Sequence, residues 1–506
     1  MHEIITLQLG ERSNYVATHF WNTQESYFTY SDEEESPVDH NVHFRPGFGA
    51  DGTETFTPRT VIYDLKGGFG TLRKYNALYE LEEPTDMHRG LWDGNEVIQR
   101  QPQIPQNEYQ KALDLGLQPP RLTSEAVRYW SDFNRVFYNP KSIVQLNEYE
   151  LNSQLMPFED WAVGEDLFNS LDREHDLLDR DLRPFAEESD QMRAIQVFSG
   201  VDDAWAGFAA RYMDRLRDEF AKKDIWVWAL EDGVRASSRK KTLRMTNSAR
   251  SINEISLQSS AYIPIMDPPR SLPTYLTADM RHKWHSSALL TMALETVTLP
   301  TRLRQYCGLG YWLTDRDNHR KIFNLESAIT GVNFGPTESA KLDEDFLLRD
   351  DLDSYDLSRL LLENFQVDFS PLAPPKSKDV YVFTQCRVIR HSRMVEEGLT
   401  NGGVGRQALQ VVSQPIVQRF CSSLEFPILD SFPGDLISGQ GNVGSTMGVQ
   451  AALSATTGIG EQVKGLQKFV RRAVATQERE HLVNGLAEIA EAYQNRWESE
   501  SDSGDD

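Results

Sequence analysis

Residues 1–21, MHEIITLQLGERSNYVATHFW, decide the fold. Ile4, Ile5, Leu7 and Leu9 form the short apolar run of a strand buried on both faces. Gly10 interrupts it with a tight turn. A helix then opens near Asn14, with Val16, Phe20 and Trp21 on its apolar face. A strand that runs through a short loop into a helix N-terminus is a place to hold an anion, because free N–H groups and the helix dipole point at it. The turn here continues as Glu11-Arg12-Ser13. Glu11 disfavours a phosphate. Arg12 suits one, or is a surface residue, or a partner of Asp64 where the two approach.

Outward from this segment, strands alternate with helices. Pro58–Leu65 reads as a second buried strand, followed by Lys66, Gly67 and Gly68, after an irregular stretch at 40–56. Residues 82–120 are proline-bearing and polar, a plausible boundary. A helix is expected from Ser124 through Trp130, Phe133 and Val136, and another across the charge-dense 163–192, with Leu167, Leu171, Leu177 and Leu178 on one side. Arg193–Phe198 and Asp224–Leu230 read as strands flanking a helix at 203–223 with Phe208, Tyr212, Leu216 and Phe220 at helical spacing. Such alternation implies a parallel, doubly wound sheet. A helix at 284–300 stops at Pro300. Residues 336–380 read as an acidic surface excursion, 380–389 as a strand, and 432–460 as a Gly-, Ser- and Thr-rich loop. One long amphipathic helix is expected at 462–497, then the acidic tail Glu498–Asp506.

The chain has 506 residues, is 39% hydrophobic and carries a net charge of −24. It can bury large cores, and its charge repels nucleic acid except at a local basic patch, so no direct nucleic-acid binding is expected. Its three cysteines, Cys307, Cys386 and Cys421, contain no CxxC pair, which removes a thiol-redox motif and a cysteine zinc knuckle. No apolar run approaches the roughly 20 residues of a membrane span, and the N-terminus lacks a secretory h-region and an Arg-rich presequence. The most basic patch is Arg235–Lys241 with Arg244 nearby. Its default reading is a solvated loop. Gly439-Gln-Gly441-Asn-Val-Gly444 fits G-x-G-x-x-G without a clear strand-turn context, a weak match.

Glu3, Ile4, Gln8, Gly10, Asn14, Phe20 and Trp21 match the opening of tubulin position for position. Pro58–Gly68, Trp130–Phe133, the strand-loop-helix at 193–220 and Ala293–Leu303 extend the likeness over most of residues 1–305. Together they resemble the Misato family, tubulin-like proteins associated with mitochondrial distribution and inheritance. The resemblance implies an α/β, tubulin-like fold: a doubly wound, mostly parallel N-terminal sheet, a second α+β domain and C-terminal helices. The expected divisions are 1–120 (N-terminal tubulin-like segment), 121–305 (the rest of the nucleotide-binding-fold domain), 306–461 (second domain), 462–497 (closing helix) and 498–506 (tail).

The same likeness locates a nucleotide pocket and shows it rewritten. Tubulin's Gln-Cys turn is Glu11-Arg12 here, and its acidic residue after Asp-Leu is Lys66. Its glycine-rich phosphate loop becomes Ser199-Gly-Val-Asp-Asp-Ala-Trp-Ala-Gly207, where only Gly200 and Gly207 remain. Glycines let backbone amides approach phosphates, whereas Asp202 and Asp203 bring negative charge and Trp205 brings bulk. Asp202 and Asp203 suit capping the next helix. The segment expected to match the catalytic loop that tubulin presents to a neighbouring subunit is Thr277–Ser287. It holds one acid, Asp279, and no Asn-x-Asp-x-x-Glu pattern. His282 and His285 have metal-compatible spacing with no third ligand apparent, and Glu295 reads as a polar contact.

The residues lining the relict or altered pocket are thus Gly10, Glu11, Arg12, Asn14, Asp64, Lys66, Gly67, Gly200, Asp203 and Gly207. No catalytic residue, metal or cofactor is expected. The expected role is a non-enzymatic scaffold in the partitioning of mitochondria and mitochondrial DNA, cytoplasmic and peripheral to the mitochondrion, with protein partners there or on the cytoskeleton. One alternative is a self-assembling cytoskeletal protein holding GTP or GDP through Arg12, Lys66 and backbone amides. Another is a membrane adaptor meeting anionic lipid through Arg239, Lys240, Lys241 and Arg244.

Overall fold

The computed structural model describes residues 2–29, 35–49, 52–79, 104–304, 319–330, 358–359, 361–362, 365–371, 380–391, 415–437, 445–474 and 476–494. The first half is built in chain order from β1 (Ile4–Leu9), α1 (Glu11–Glu25), β2 (Phe44–Phe48), β3 (Glu54–Pro58), β4 (Thr60–Lys66), α2 (Glu108–Asp114), β5 (Ile143–Glu150), α3 (Trp161–His175), α4 (Arg183–Glu187), β6 (Ala194–Gly200), α5 (Trp205–Glu219), β7 (Asp224–Asp232), α6 (Ser238–Gln258), β8 (Ala261–Asp267) and α7 (Lys283–Thr298). The second half adds β9 (Asn324–Thr330), β10 (Val367–Asp368), β11 (Val382–Arg390), β12 (Ile416–Ser422), β13 (Phe426–Pro427), β14 (Thr446–Thr456), α8 (Thr457–Ala473) and α9 (Thr476–Ala492).

The first sheet runs β5-β4-β1-β6-β7-β8 and every pairing in it is parallel. All six residues of β1 and all seven of β6 are buried, as central strands covered by helices on both faces require. The second sheet runs β10-β9-β14-β11-β12; it is antiparallel except for the β11–β12 pair. Helix α7 lies between the sheets, packing on α1 on one side and on β14, β11 and β9 on the other. Every residue from Trp284 to Thr298 is buried, which is why this helix is apolar nearly all round.

Helices α3 and α5 meet almost backbone to backbone. A Cβ on Gly207 would sit 2.1 Å from the Trp161 carbonyl oxygen, and one on Gly164 only 1.7 Å from that of Ala204. Gly207 therefore serves helix packing and does not line the expected pocket.

Several expectations are corrected. Helix α1 begins at Glu11, three residues before Asn14. The irregular stretch at 40–56 contains the hairpin β2–β3, and Pro58 closes β3 while the buried strand starts at Thr60. No helix spans 124–136. The Asp132 carboxylate instead accepts the N–H groups of Arg128 (2.8 Å) and Tyr129 (3.0 Å), and Trp130–Phe133 is a single 3-10 turn. The loop expected at 432–460 contains β14, whose Ala451, Ala452 and Ala455 are fully packed. The single closing helix is two antiparallel helices, α8 and α9, with Gly460 against Tyr493 and Gln467 donating to the Val483 carbonyl. The basic patch is a loop only at Arg235–Ser237; from Ser238 on it is the first turns of α6. Helix α6 and strands β5 and β8 were not expected at all. Gly439–Gly444, Cys307, Trp497 and the tail 498–506 lie outside the described residues, as do 82–103, 336–357 and 372–379.

Candidate functional site

The C-terminal ends of β1, β4, β6, β7 and β8 open on one side of the first sheet, where ligands of open α/β sheets sit. Gly10 ends β1 at φ 86°, a left-handed conformation that favours glycine. Any Cβ there would also fall 2.3 Å from the Trp205 indole nitrogen. Trp205 is 5% exposed and packs on Phe158 and Phe208. The space over the first turn of α1 is thus filled by the aromatic side chain that opens α5.

Around it stands a network of four charged groups. Arg12 reaches Asp202 at 3.2 Å and Asp232 at 3.4 Å. Arg244, from the second turn of α6, reaches Asp202 at 3.6 Å and also grips Asp232. Asp202 further accepts the N–H of Asp232 at 2.9 Å, and its carbonyl takes the Asn247 amide at 3.1 Å. Asp202 is 3% exposed, while each arginine is 18% exposed. Burial opposes the charge on Arg12, but Asp202, Asp232, Asp203 and Asp267 outweigh it and hold the guanidinium charged.

The expected capping role divides between the two aspartates. Asp203 accepts the Trp205 N–H at 2.9 Å, whereas Asp202 is spent on the ion pairs. Burial, with Asp202 adjacent, pushes the Asp203 carboxyl up to about 7. Glu231 is raised to about 8, chiefly by burial and then by Asp202. Gly200 faces the Asp203 carboxylate, 3.0 Å from where its Cβ would stand.

The other end of the site is a separate group. Asp64 is fully buried and accepts from Asn14 Nδ2 at 2.8 Å, Trp130 Nε1 at 3.2 Å and its neighbour Leu65 N–H at 2.8 Å. Burial and then the Glu11 charge raise its carboxyl to about 7. Asn14 Oδ1 is buried without a hydrogen-bond partner. Arg12 is therefore not the partner of Asp64. Glu11 pairs with Lys283 at the start of α7. Gly67 makes the left-handed turn after β4 at φ 88°, and the carbonyl of Lys66 takes the Leu151 N–H at 3.0 Å.

Of the expected lining residues, the structure brings Gly10, Arg12, Gly200 and Asp203 to one group and Glu11, Asn14 and Asp64 to the other. Lys66 and Gly67 stand at the edge, and Gly207 is elsewhere. The reading missed Asp232, Asn247 and Lys283. Asp232 had a signal, the second of two carboxylates, Glu231 and Asp232, that follow the buried run Ile225–Leu230.

The segment Thr277–Ser287, expected to face a neighbouring subunit, lies against its own chain. Thr277 N–H donates to the Leu436 carbonyl at 3.1 Å, Trp284 Nε1 to that of Ser431 at 3.1 Å, and Lys283 holds Glu11. In the basic patch, Lys240 pairs with Glu159 at 2.6 Å and Arg244 belongs to the aspartate network, leaving Arg239 and Lys241 exposed. Among the described residues no helix is long and apolar enough to cross a membrane.

A second charged group links the two halves. Glu295 on α7, fully buried, pairs with Arg302 and with Arg390 of β11, both fully buried. Tyr27 donates to Glu295 at 3.0 Å and accepts from Arg390 at 2.8 Å. Burial works to raise the Glu295 carboxyl, but Arg390 and Arg302 overcome it and hold it below the usual range.

A parallel sheet with this turn after its first strand, joined through a buried helix to a second sheet, is the architecture of a tubulin-like protein. Residues 119–303 match the family described as Tubulin domain, and residues 2–115 match the Misato Segment II tubulin-like domain. The chain is 58% identical to Protein DML1 of Coccidioides immitis and 52% identical to Protein dml1 of Aspergillus niger, over the whole of each pair. It is 33% identical to Protein dml1 of Schizosaccharomyces pombe over 60% of this chain and 66% of that one. The chain belongs to the Misato/DML1 family of tubulin-like proteins.

Proposed function

We propose that this chain is a tubulin-fold scaffold without enzymatic activity, acting through its surfaces in the partitioning of mitochondria and mitochondrial DNA. Its own residues do the bridging that a bound nucleotide does in an active member of the fold. The observation that carries this is the seat over Gly10: the Trp205 indole stands where a side chain cannot even be added to that glycine. Beside it, Arg12 and Arg244 are already neutralised by Asp202 and Asp232. A phosphate entering there meets three carboxylates and no free cation from the pair. The residues present do not fit a nucleoside triphosphate. The mitochondrial part of the reading follows from the likeness to the Misato family, and a role at the cytosolic face agrees with it.

The test is the nucleotide content of natively purified protein, read by chromatography after denaturation, followed by titration with GTP and Mg²⁺. Absence of GTP and GDP, and no binding up to about millimolar GTP, is the expected result; that limit corresponds to about 4 kcal/mol of binding free energy. Stoichiometric GTP or GDP overturns the reading and favours the self-assembling alternative. Lipid contact through the start of α6 is the weaker alternative, because Lys240 and Arg244 are engaged within the fold.

A further inference from the structure

We propose that the outer face of α8 is a docking surface for an acidic polypeptide segment, a run rich in Asp and Glu. Helix α8 is sharply two-sided. Ile459, Val463, Leu466 and Val470 are buried against the body of the protein. Lys464, Lys468, Arg471 and Arg472 are exposed on the opposite side, at the i, i+4, i+7, i+8 spacing that places residues on one helix face. They span about 12 Å of helix at 1.5 Å per residue. Among the described residues none of the four has a carboxylate within ion-pair distance. Glu461, exposed at the N-terminal end of the same face, is the one acid there. A further guanidinium, that of Arg479 from α9, lies against the Arg471 carbonyl at 3.4 Å.

Arg471 and Arg472 sit in the last turn, where cations complement the helix dipole. Lys464 and Lys468 are mid-helix and gain nothing from that. In a chain of net charge −24, a run of unpaired cations stands out as a local reversal of potential.

Charge and shape choose between the anions such a face could meet. A membrane or a nucleic acid is broad, and it feels the acidic bulk of the protein as well as the stripe. A single extended peptide stays within about 8–10 Å of the stripe, the distance over which salt lets charges act. A helix that settles on lipid also offers apolar side chains to the bilayer, whereas those of α8 are already buried. Exposed Glu480, Glu488 and Glu491 on the adjoining α9 confine an acidic partner to the α8 side.

The test uses the full chain and a fluorescein-labelled decapeptide of alternating Glu and Asp, followed by fluorescence anisotropy in about 50 mM NaCl, where screening is weak. Saturable binding is expected. It should weaken at least about tenfold in K464Q/K468Q/R471Q/R472Q, and similarly when salt is raised several-fold. The pair K464Q/K468Q leaves the helix end intact and should lose an intermediate amount, with circular dichroism reporting the fold of each variant. R235Q/R239Q/K241Q, around the N-terminus of α6, should bind as the unaltered chain does. The proposal is overturned by lack of saturable binding, by unchanged affinity in the quadruple variant, or by loss in the α6 variant instead. Equally, capture by phosphatidylserine vesicles that depends on these four residues, without capture of the peptide, assigns the face to lipid and ends the proposal.

Discussion

Two arginine–carboxylate networks sit in this molecule and solve opposite problems. At the strand ends, Arg12 and Arg244 each approach both Asp202 and Asp232, so each carboxylate has two cations and each cation two carboxylates. Between the sheets, Glu295 alone faces two guanidiniums in a region without solvent. The first network is redundant and partly exposed. The second is singular and dry. The comparison teaches where loss of one group is absorbed and where it is not, and it separates a network at the strand ends from a joint between the two sheets.

The largest effect is expected at the joint. Glu295→Gln removes the one carboxylate that, among the described residues, pairs with both Arg302 and Arg390, and leaves two buried cations uncompensated, a loss of about 3–5 kcal/mol by the behaviour of broken buried pairs. Urea denaturation should show the drop directly. A loss comparable to that of a surface pair would mean that water reaches Glu295, and the contrast between the networks would collapse.

Next is the turn that Trp205 covers. Gly10→Ala must adopt a left-handed φ and also place a methyl into the indole. The backbone term is about 1–2 kcal/mol, and overpacking adds about 1–3 kcal/mol. The paired variant Gly10→Ala with Trp205→Ala should recover the overpacking part and keep the backbone part. If the two losses simply add, the indole is not what occupies that seat.

Arg12→Ala should do less. Arg244 still lies 3.6 Å from Asp202 and still holds Asp232, so the loss is about 1.5–3 kcal/mol, that of a hydrogen bond to a charged group. Arg12→Ala with Arg244→Ala should exceed the sum of the two single losses, because only the double variant strips Asp202 of all its cations. Strict additivity in thermal melts would deny the redundancy.

The joint and the seat also differ in how far the sequence announced them. The strand-turn-helix at 4–25, the unit β6-α5-β7 and helix α7 were legible because their apolar spacing is local and strong. Pairings such as Arg12 with Asp202 or Glu295 with Arg390 were not, since no local pattern specifies a contact 190 or 95 residues away. Where local reading failed, tertiary context had overridden it. Strand β14 looks like loop because it is squeezed beneath α7 and α8 and needs small residues. The segment around Trp130 has helical spacing, but Asp132 captures the N–H groups ahead of it and Asn22 binds the backbone at Phe133 and Arg135. The closing hairpin has no proline at its bend, so its two helices merge into one in the sequence.

The last effect is a slope with pH rather than a single loss, and it concerns Asp64, which bears on whether the strand-end region still carries ligand-site chemistry. Its carboxyl titrates near pH 7 in the fold and near pH 4 in the unfolded chain. The folded state therefore binds a proton that the unfolded state has released between those values. Stability must fall as pH rises from about 4 to about 7 on account of this group, and then level off. Asp64→Asn removes that slope, so the variant should gain on the unaltered protein as pH rises through this window, whatever it loses at low pH from a mismatched hydrogen bond. Urea midpoints at pH 5 and pH 8 give the sign. A relative loss at pH 8 would mean that the Asn14, Trp130 and Leu65 donors hold Asp64 as a stable carboxylate, and the region would then carry a permanent buried negative charge, a still poorer place for phosphate.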